Sequence, residues 1–208
     1  MFNNLKLGVI ALIVLSGCAV GVKHDYMLDS LNLEVSTDNS ILVATLDHRD
    51  YVLDSRKNES FVGLSRGGFG NPFDVGTLSG NPLAADISYS IATSLGKDNI
   101  DARVVKINPS QSVEEALARL NSEGAQRSLL LVLREWKADT YVNVGFNYDF
   151  DISISDQQGN LLLQKQYQAK ENLGAAPVLE PGGGELVDAR FRSLMKELFQ
   201  DPKVRQEL

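Results

Sequence analysis

The stretch Asn143–Ser155, N-V-G-F-N-Y-D-F-D-I-S-I-S, has the strongest pattern in the chain. Every second residue from Val144 to Ile154 is apolar, and the residues between them are polar or glycine. Because successive side chains of a strand point to opposite faces, this alternation predicts an antiparallel strand with one buried and one solvated face. The polar segment Asp156–Asn160 predicts a turn into a second strand, Leu161–Lys170.

Two shorter stretches upstream are apolar on both faces. Ile41–Ala44 and Leu129–Leu133 contain no polar residue, which is typical of strands at the centre of a covered sheet. Ala102–Ile107 predicts a further strand, and the alternation in Leu31–Val35 predicts a short edge strand. The charged stretch Asp47–Asp50 follows the first buried strand, so we expect it to emerge from the sheet into solvent.

Three helices are predicted between and after these strands. Asn81 and Pro82 suit the N-cap and first position of a helix that ends near Gly96. Ser112 and Glu115 have the spacing of a capping box, in which each side chain bonds the backbone amide of the other residue. The residues expected on the three core-facing stripes are Leu83, Ile87, Ile91 and Leu95; Val113, Ala116, Leu117 and Leu120; and Val187, Phe191, Leu194 and Leu198.

The predicted element order is β-α-β-α-β-β-β-α. Strand–helix–strand units bring parallel strands together by right-handed crossovers, and the later strands add a meander. We therefore predict an α/β fold, a single two-layer sandwich in which the helices pack on a mixed sheet. The segment Ser55–Gly80 is expected to be a long connection without regular structure.

The beginning of the chain ends in a short sequence that contains the only cysteine. Leu7–Leu15 is an unbroken apolar run of signal-peptide length, too short for a bilayer-spanning helix, which needs about 20 residues. The last residues of this region, Leu15-Ser16-Gly17-Cys18, resemble the lipobox of bacterial lipoprotein precursors.

The resemblance implies that residues 1–17 are a signal peptide and that Cys18 is thioether-linked to diacylglycerol and N-acylated, typically with palmitate. It also implies an outer-membrane location with the domain facing the periplasm, because Ala19 and not aspartate follows the cysteine. Residues 18–30 are then the lipidated cysteine and a tether, and residues 31–208 are the periplasmic domain. The alternative is an uncleaved N-terminal anchor helix with an incidental cysteine.

Together with the lipobox, the element order is similar to that of small periplasmic lipoproteins of the YajG type. This resemblance implies no catalytic residues, and the segment 66–74 is not part of it.

The charge of the chain limits its partners. The whole chain has 20 basic and 27 acidic residues, a net charge of −7; without residues 1–17, which include Lys6, 19 minus 27 gives −8. This balance argues against nucleic acid and against anionic lipid headgroups as main partners. The expected partners are the membrane, through acyl chains on Cys18, and an envelope protein.

One segment is a candidate binding loop. Between Arg66 and Asp74 the chain reads R-G-G-F-G-N-P-F-D, in which two phenylalanines stand among three glycines. Glycines permit positive φ, and aromatic side chains in such a polar loop either cover the core or contact a partner. The alternative is a structural Ω-loop that covers one end of the sheet. The candidate site residues are Arg66, Phe69, Asn71, Phe73 and Asp74.

Several short motifs resemble parts of catalytic or metal-binding patterns. Gly63–Gly67 fits G-x-S-x-G, but both histidines precede Ser65, so a turn is expected there. Ser193–Lys196 fits S-x-x-K without its companion motifs. The pairs His48 and Asp50, and Asp149 and Asp151, share strand faces but lack the further ligands that a zinc or calcium site needs.

No catalytic residue, metal or cofactor is therefore predicted. The function that we expect is that of a lipid-anchored envelope lipoprotein with a non-catalytic binding or assembly domain. Two alternatives remain at this point, an envelope-acting hydrolase with an unrecognised active site and a purely structural envelope protein.

Overall fold

The computed structural model describes residues 22–176 and 183–208. The predicted signal peptide, the lipobox, Cys18 and the first residues of the predicted tether lie outside these ranges. Among the described residues, no helix is both long and apolar enough to cross a membrane. The elements are β1 Lys23–His24, β2 Ile41–Asp47, α1 Asp50–Leu53, β3 Phe61–Arg66, β4 Pro72–Thr77, α2 Leu83–Lys97, β5 Ala102–Val104, α3 Val113–Asn121, β6 Arg127–Thr140, β7 Asn143–Asp156, β8 Leu161–Ala175, α4 Gly184–Gln200 and α5 Pro202–Glu207.

The long strand β6 organises the sheet. Along one edge it pairs in parallel with β2 over its first half and with β3 near its end. Along the other edge it pairs with β7 in antiparallel fashion, and β8 follows β7. Strand β5 lies outside β2, whereas β4 and β1 lie outside β3. The result is one mixed eight-stranded sheet, in the order β1-β4-β3-β6-β2-β5 with β7 and β8 beyond β6.

Helices cover both faces of this sheet. Helices α2 and α4 bury their apolar residues in a large core that includes Trp136 and the inward side chains of β7. Helix α3 packs on the opposite face, where Ala116 and Leu120 meet Leu42 and Leu130. The apolar run of β2 is buried on both faces for this reason, as predicted. The α/β class with helices on a mixed sheet is confirmed.

The local signals of helices and strands are mostly confirmed. The capping box of α3 has both bonds, Ser112 N to Glu115 Oε2 at 2.8 Å and Glu115 N to Ser112 Oγ at 3.2 Å. The start of α2 differs from the prediction, because its N-cap is Pro82 and makes no side-chain cap. The side-chain amide of Asn81 instead donates from Nδ2 to Asp86 Oδ1 at 3.1 Å.

The chain from residue 22 onward is not a tether. His24 lies in β1, and Tyr26 and Leu28 are buried. We call residues 26–35 the N-terminal strap. Its backbone is held by α2, since Leu28 N donates to Ser90 Oγ at 2.6 Å and Leu31 N donates to Ser94 Oγ at 2.8 Å. The domain boundary predicted at residue 31 is therefore too late.

The predicted edge strand at residues 31–35 is also wrong. Leu31, Leu33 and Val35 are buried and alternate with exposed residues, as a strand would show. However, Asn32 and Glu34 have φ of 51° and 58°, in the left-handed region, and the segment has no strand partner. The alternation arises from alternating backbone conformations and not from a pleat.

The charged stretch Asp47–Asp50 emerges into solvent only in part, because Asp50 is exposed and His48 is half-buried, whereas Asp47 and Arg49 stay inside. Asp47 and Arg49 have 1% and 0% exposure, because they pair with each other inside the fold. The segment after it is not an irregular connection either. Strands β3 and β4 form an antiparallel hairpin in which Arg66 pairs with Pro72.

Candidate functional site

The candidate loop is the end of the β3–β4 hairpin. Gly67 N donates to Asn71 O at 2.9 Å, and Gly70 N donates to Gly67 O at 2.8 Å. With Gly70 at φ 80°, this is the pattern of a three-residue hairpin loop with a bulge. Only Gly70 of the three glycines uses a positive φ. Residues 67–71 are called the hairpin tip below.

Two ion pairs hold the strands behind the tip. The Arg66 guanidinium meets Asp139 of β6 through two bonds, Nε–Oδ1 at 2.7 Å and Nη2–Oδ2 at 2.6 Å. These hydrogen bonds and the charge of Asp139 raise the pKa of Arg66. Lys57 Nζ lies 2.5 Å from Asp74 Oδ1. Arg66 and Asp74 therefore bracket the segment, as expected, but each pairs with another residue and not with its counterpart.

The two phenylalanines of the segment differ in their surroundings. Phe73 is half-buried, and its ring lies beside Gly67, where an added Cβ would be 3.2 Å from Cε2. Phe69 is 98% exposed, so it covers no part of the core. The Ω-loop alternative is wrong, because the segment is a paired hairpin that carries an aromatic side chain outward.

A second turn adds apolar surface beside the hairpin tip. Tyr141 and Val142 join β6 to β7, and they are 50% and 70% exposed. The Tyr141 hydroxyl lies 3.5 Å from Gly68 O, which links the two turns. We call Phe69, Tyr141 and Val142 the apolar tip. The sequence analysis did not identify Tyr141 and Val142 as site residues. An apolar pair at a sharp turn between two strands could have indicated an exposed apolar surface.

The apolar tip is uncharged. The hairpin tip reads G-G-F-G-N and the neighbouring turn reads Y-V, and neither contains an ionisable group other than the tyrosine hydroxyl. The nearest charges behind them, Arg66 and Asp139, neutralise each other. The apolar tip itself can therefore enter an apolar environment without carrying an unpaired charge with it.

A separate cavity of about 460 Å³ lies beyond the carboxyl ends of β2 and β5. This is where open α/β sheets commonly bind ligands. Its lining includes Asp86, whose pKa is raised by burial, against the opposing effect of bonds from Ser79 and Asn81. Thr45 and Ser88 also line it and bond each other at 2.9 Å.

The residues of the short catalytic-like and metal-like motifs lie in regular structure or are hydrogen-bonded to other residues. Ser65 lies inside β3 and not at a turn, which corrects the expectation for Gly63–Gly67. His48 Nε2 lies 2.9 Å from Gln111 O. Arg134 bridges Asp149 and Asp151, at 2.6 and 2.8 Å. Ser193 Oγ donates to Glu197 Oε1 at 2.9 Å.

In residues 22–176 and 183–208, no three histidine, cysteine, aspartate or glutamate side chains are placed to hold a metal ion.

Comparisons with known proteins give only distant structural likenesses. No family model matches the chain, and no curated protein matches it. A Xanthomonas campestris protein of the DUF330 family has 10% identity and a TM-score of 0.47, covering 80% of this chain and 82% of that one. The PelC dodecamer from Paraburkholderia phytofirmans has 12% identity and a TM-score of 0.38, covering 84% and 91%. A lipoprotein from Neisseria meningitidis has 8% identity and a TM-score of 0.31, covering 77% and 97%.

Proposed function

We propose that this chain is a lipid-anchored envelope protein whose folded domain is a non-catalytic binding or assembly module, with the apolar tip as its contact surface. The anchor is Cys18, at the end of Leu15-Ser16-Gly17-Cys18. The proposed location is the outer membrane, with the domain facing the periplasm, since Ala19 follows the cysteine. Acylation of that cysteine with more than one chain holds a domain firmly at a bilayer.

The observation that carries the contact surface is the 98% exposure of Phe69. An exposed phenylalanine is costly to hydrate, and burying it in an apolar environment is worth about 1.5–3 kcal/mol. Phe69 stands on a hairpin that is hydrogen-bonded and tied to β6 by the Arg66–Asp139 pair. A side chain presented on a fixed support loses little conformational entropy when it binds.

Two measurements test the proposal. Lipidation is read from the intact mass and membrane fractionation of the wild type and of Cys18→Ala. We expect the substitution to remove the acyl mass and to release the protein from membranes or leave an uncleaved precursor. Unchanged mass and unchanged fractionation would contradict the anchor.

The contact surface is tested with a photo-crosslinking amino acid placed at residue 69 in intact cells. Leu161, which is 54% exposed at the opposite end of the sheet, is the matched control position. We expect adducts, whether to protein or to lipid, from position 69 and not from position 161. Equal yields at the two positions would show that the apolar tip is not a preferred contact.

A further inference from the structure

We infer that the apolar tip docks into the interfacial region of the same bilayer that holds the acyl chains of Cys18. This inference rests on the proposed function, since it needs both the anchor and the tip as contact surface. It names the partner of that surface as the phospholipid bilayer and not another protein.

The chain enters the sheet from the end that carries the hairpin tip. Strand β1 pairs in parallel with β4, with Lys23 opposite Gly76. Strand β4 begins at Pro72, directly after the hairpin tip, and runs away from it. Because the two strands are parallel, the chain at Val22 enters β1 from the side of the hairpin tip.

The chain length limits how far the anchor lies from this entry point. Cys18 precedes Val22 by four residues. At no more than ~3.6 Å per residue, their Cα atoms are within about 14 Å of each other in any conformation. Pro72 lies four residues before Gly76 in β4, or roughly 13 Å along the strand. The distance from Val22 to the lipid-bearing residue is therefore limited to about the same length as the distance along β4 to the hairpin tip.

The distribution of charge favours this orientation. The apolar tip carries no formal charge, whereas exposed acids lie at the opposite end, including Asp38, Asp101 and Glu123. Those residues lie just before β2, β5 and β6, whose first residues, Ile41, Ala102 and Arg127, are in register. An acidic domain is repelled by anionic lipid headgroups, so the orientation that presents the uncharged apolar tip to the bilayer is favoured.

The chemistry of the tip suits the interface and not the hydrocarbon centre. Tyrosine and tryptophan side chains concentrate at the level of the headgroups, where the ring is buried and the polar group stays hydrated. Gly67 and Gly70 have their amides satisfied within the turn, so shallow burial leaves these donors paired.

The bilayer is favoured over a protein because of the size of the patch. A stable protein interface buries about 800 Å² on each partner, and the apolar tip consists of three side chains. Contact with the bilayer needs far less area, because the anchor already makes that contact intramolecular and raises the local concentration of lipid.

The test places a tryptophan at the tip of the full lipidated protein. Phe69→Trp and the control Leu161→Trp are each reconstituted into phosphatidylethanolamine vesicles with a minor phosphatidylglycerol fraction. The acyl chains carry bromine near the glycerol backbone, and bromine quenches indole fluorescence on contact. The natural tryptophan, Trp136, has 0% exposure and contributes the same background to both variants.

We expect loss of emission and a blue shift for Phe69→Trp, and neither for Leu161→Trp. Absence of quenching at residue 69, or equal quenching at both positions, overturns the inference, as does a protein that fails to associate with the vesicles. Protein adducts from residue 69 in cells without quenching here would leave the proposed function standing and assign the tip to a protein partner. Absence of adducts at residue 69 would count against the proposed function itself.

Discussion

Arg49 and Asp47 form a bidentate ion pair in the interior, with Nη2–Oδ2 at 2.7 Å, Nε–Oδ1 at 2.8 Å and no solvent exposure of either side chain. Arg49 also donates to the carbonyl oxygens of Phe61 at 2.5 Å and Glu59 at 3.1 Å. Burial is the largest influence and lowers the pKa of Arg49, but the bonds to Asp47, the charge of Asp47 and the neighbouring Tyr51 together outweigh it, so the pKa is raised. The pair therefore ties the end of β2 to the start of β3.

Removing one member of this pair should destabilise the domain strongly. In Asp47→Ala the guanidinium of Arg49 remains buried without its counter-ion, and breaking a buried pair in this way costs about 3–5 kcal/mol. The free energy of unfolding in urea measures the loss. Arg56→Ala, which removes a pair with Asp54 on the surface, is the control and should change stability little. Equal effects of the two substitutions would contradict the structural role of Arg49.

The stability of the domain should fall as pH is lowered, through His24. Burial lowers the pKa of His24 from 6.5 to about 4. Between these values the unfolded chain binds a proton that the folded chain does not, so the stabilisation present above pH 6.5 is lost as pH falls toward about 4. The loss over this window is about 3 kcal/mol.

Urea unfolding at several pH values checks this prediction. His24→Leu should flatten the dependence in that window, whereas His48→Gln should keep it. If the free energy of unfolding of His24→Leu changed with pH as steeply as that of the wild type, a group other than His24 would be responsible for the pH dependence.

Two glycines of the hairpin should differ in how much stability they lose on the same substitution. A Cβ added at Gly63 would lie 2.5 Å from the carbonyl oxygen of Ala138, in the backbone of β6. Gly63→Ala should therefore cost about 1–3 kcal/mol through overpacking. Gly68→Ala meets nothing within 4 Å and should stay within ~0.5 kcal/mol of the wild type. Thermal unfolding of both variants distinguishes them, and a stable Gly63→Ala would contradict the close approach of β3 and β6.

The N-terminal strap should contribute to the stability of the core. Tyr26 has 0% exposure, and its ring centroid lies 5.1 Å from that of Phe191 and 5.9 Å from that of Trp136. Tyr26→Ala should cost about 3–5 kcal/mol, as for other large core residues. Its neighbour Met27 is 38% exposed, and Met27→Ala serves as the control. If denaturant midpoints fell equally in both variants, the strap would not be a specific part of the core.

Periodic signals predicted most of the fold because they depend only on local spacing. The alternation of Asn143–Ser155 and the four-residue repeat of Leu83–Leu95 fix which faces are buried, whatever the neighbours are. The capping box of α3 is equally local. These elements lie where they were predicted.

The elements that were missed depend on tertiary partners. Arg49 can be buried because the carbonyl oxygens of Glu59 and Phe61 accept hydrogen bonds from its guanidinium, and those groups come together only when β3 is in place. The hairpin β3–β4 has many glycines and a proline, which have low β-propensity and weaken the sequence signal of a strand. Pairing of β3 with β6 stabilises these strands in spite of that low propensity.

One of the three residues of the apolar tip could be predicted from the sequence. Phe69 was found because glycines surround it, and glycine-rich aromatic loops are uncommon. Tyr141 and Val142 were not predicted to belong to the site. They lie beside the hairpin tip only because Ser65 of β3 pairs with Thr140 of β6, and that register cannot be derived from either segment alone.

The short strand β1 and the N-terminal strap have a mechanical consequence. A force that draws residue 22 outward acts along β1, so its two register pairs with β4 are sheared together and not unzipped one after another. After β1, the hydrogen bonds from the N-terminal strap to Ser90 and Ser94 oppose the force until the strap moves as a unit. A force applied at residue 22 therefore acts directly on the hydrophobic core, because the residues that follow it are packed in the fold and do not form a flexible linker.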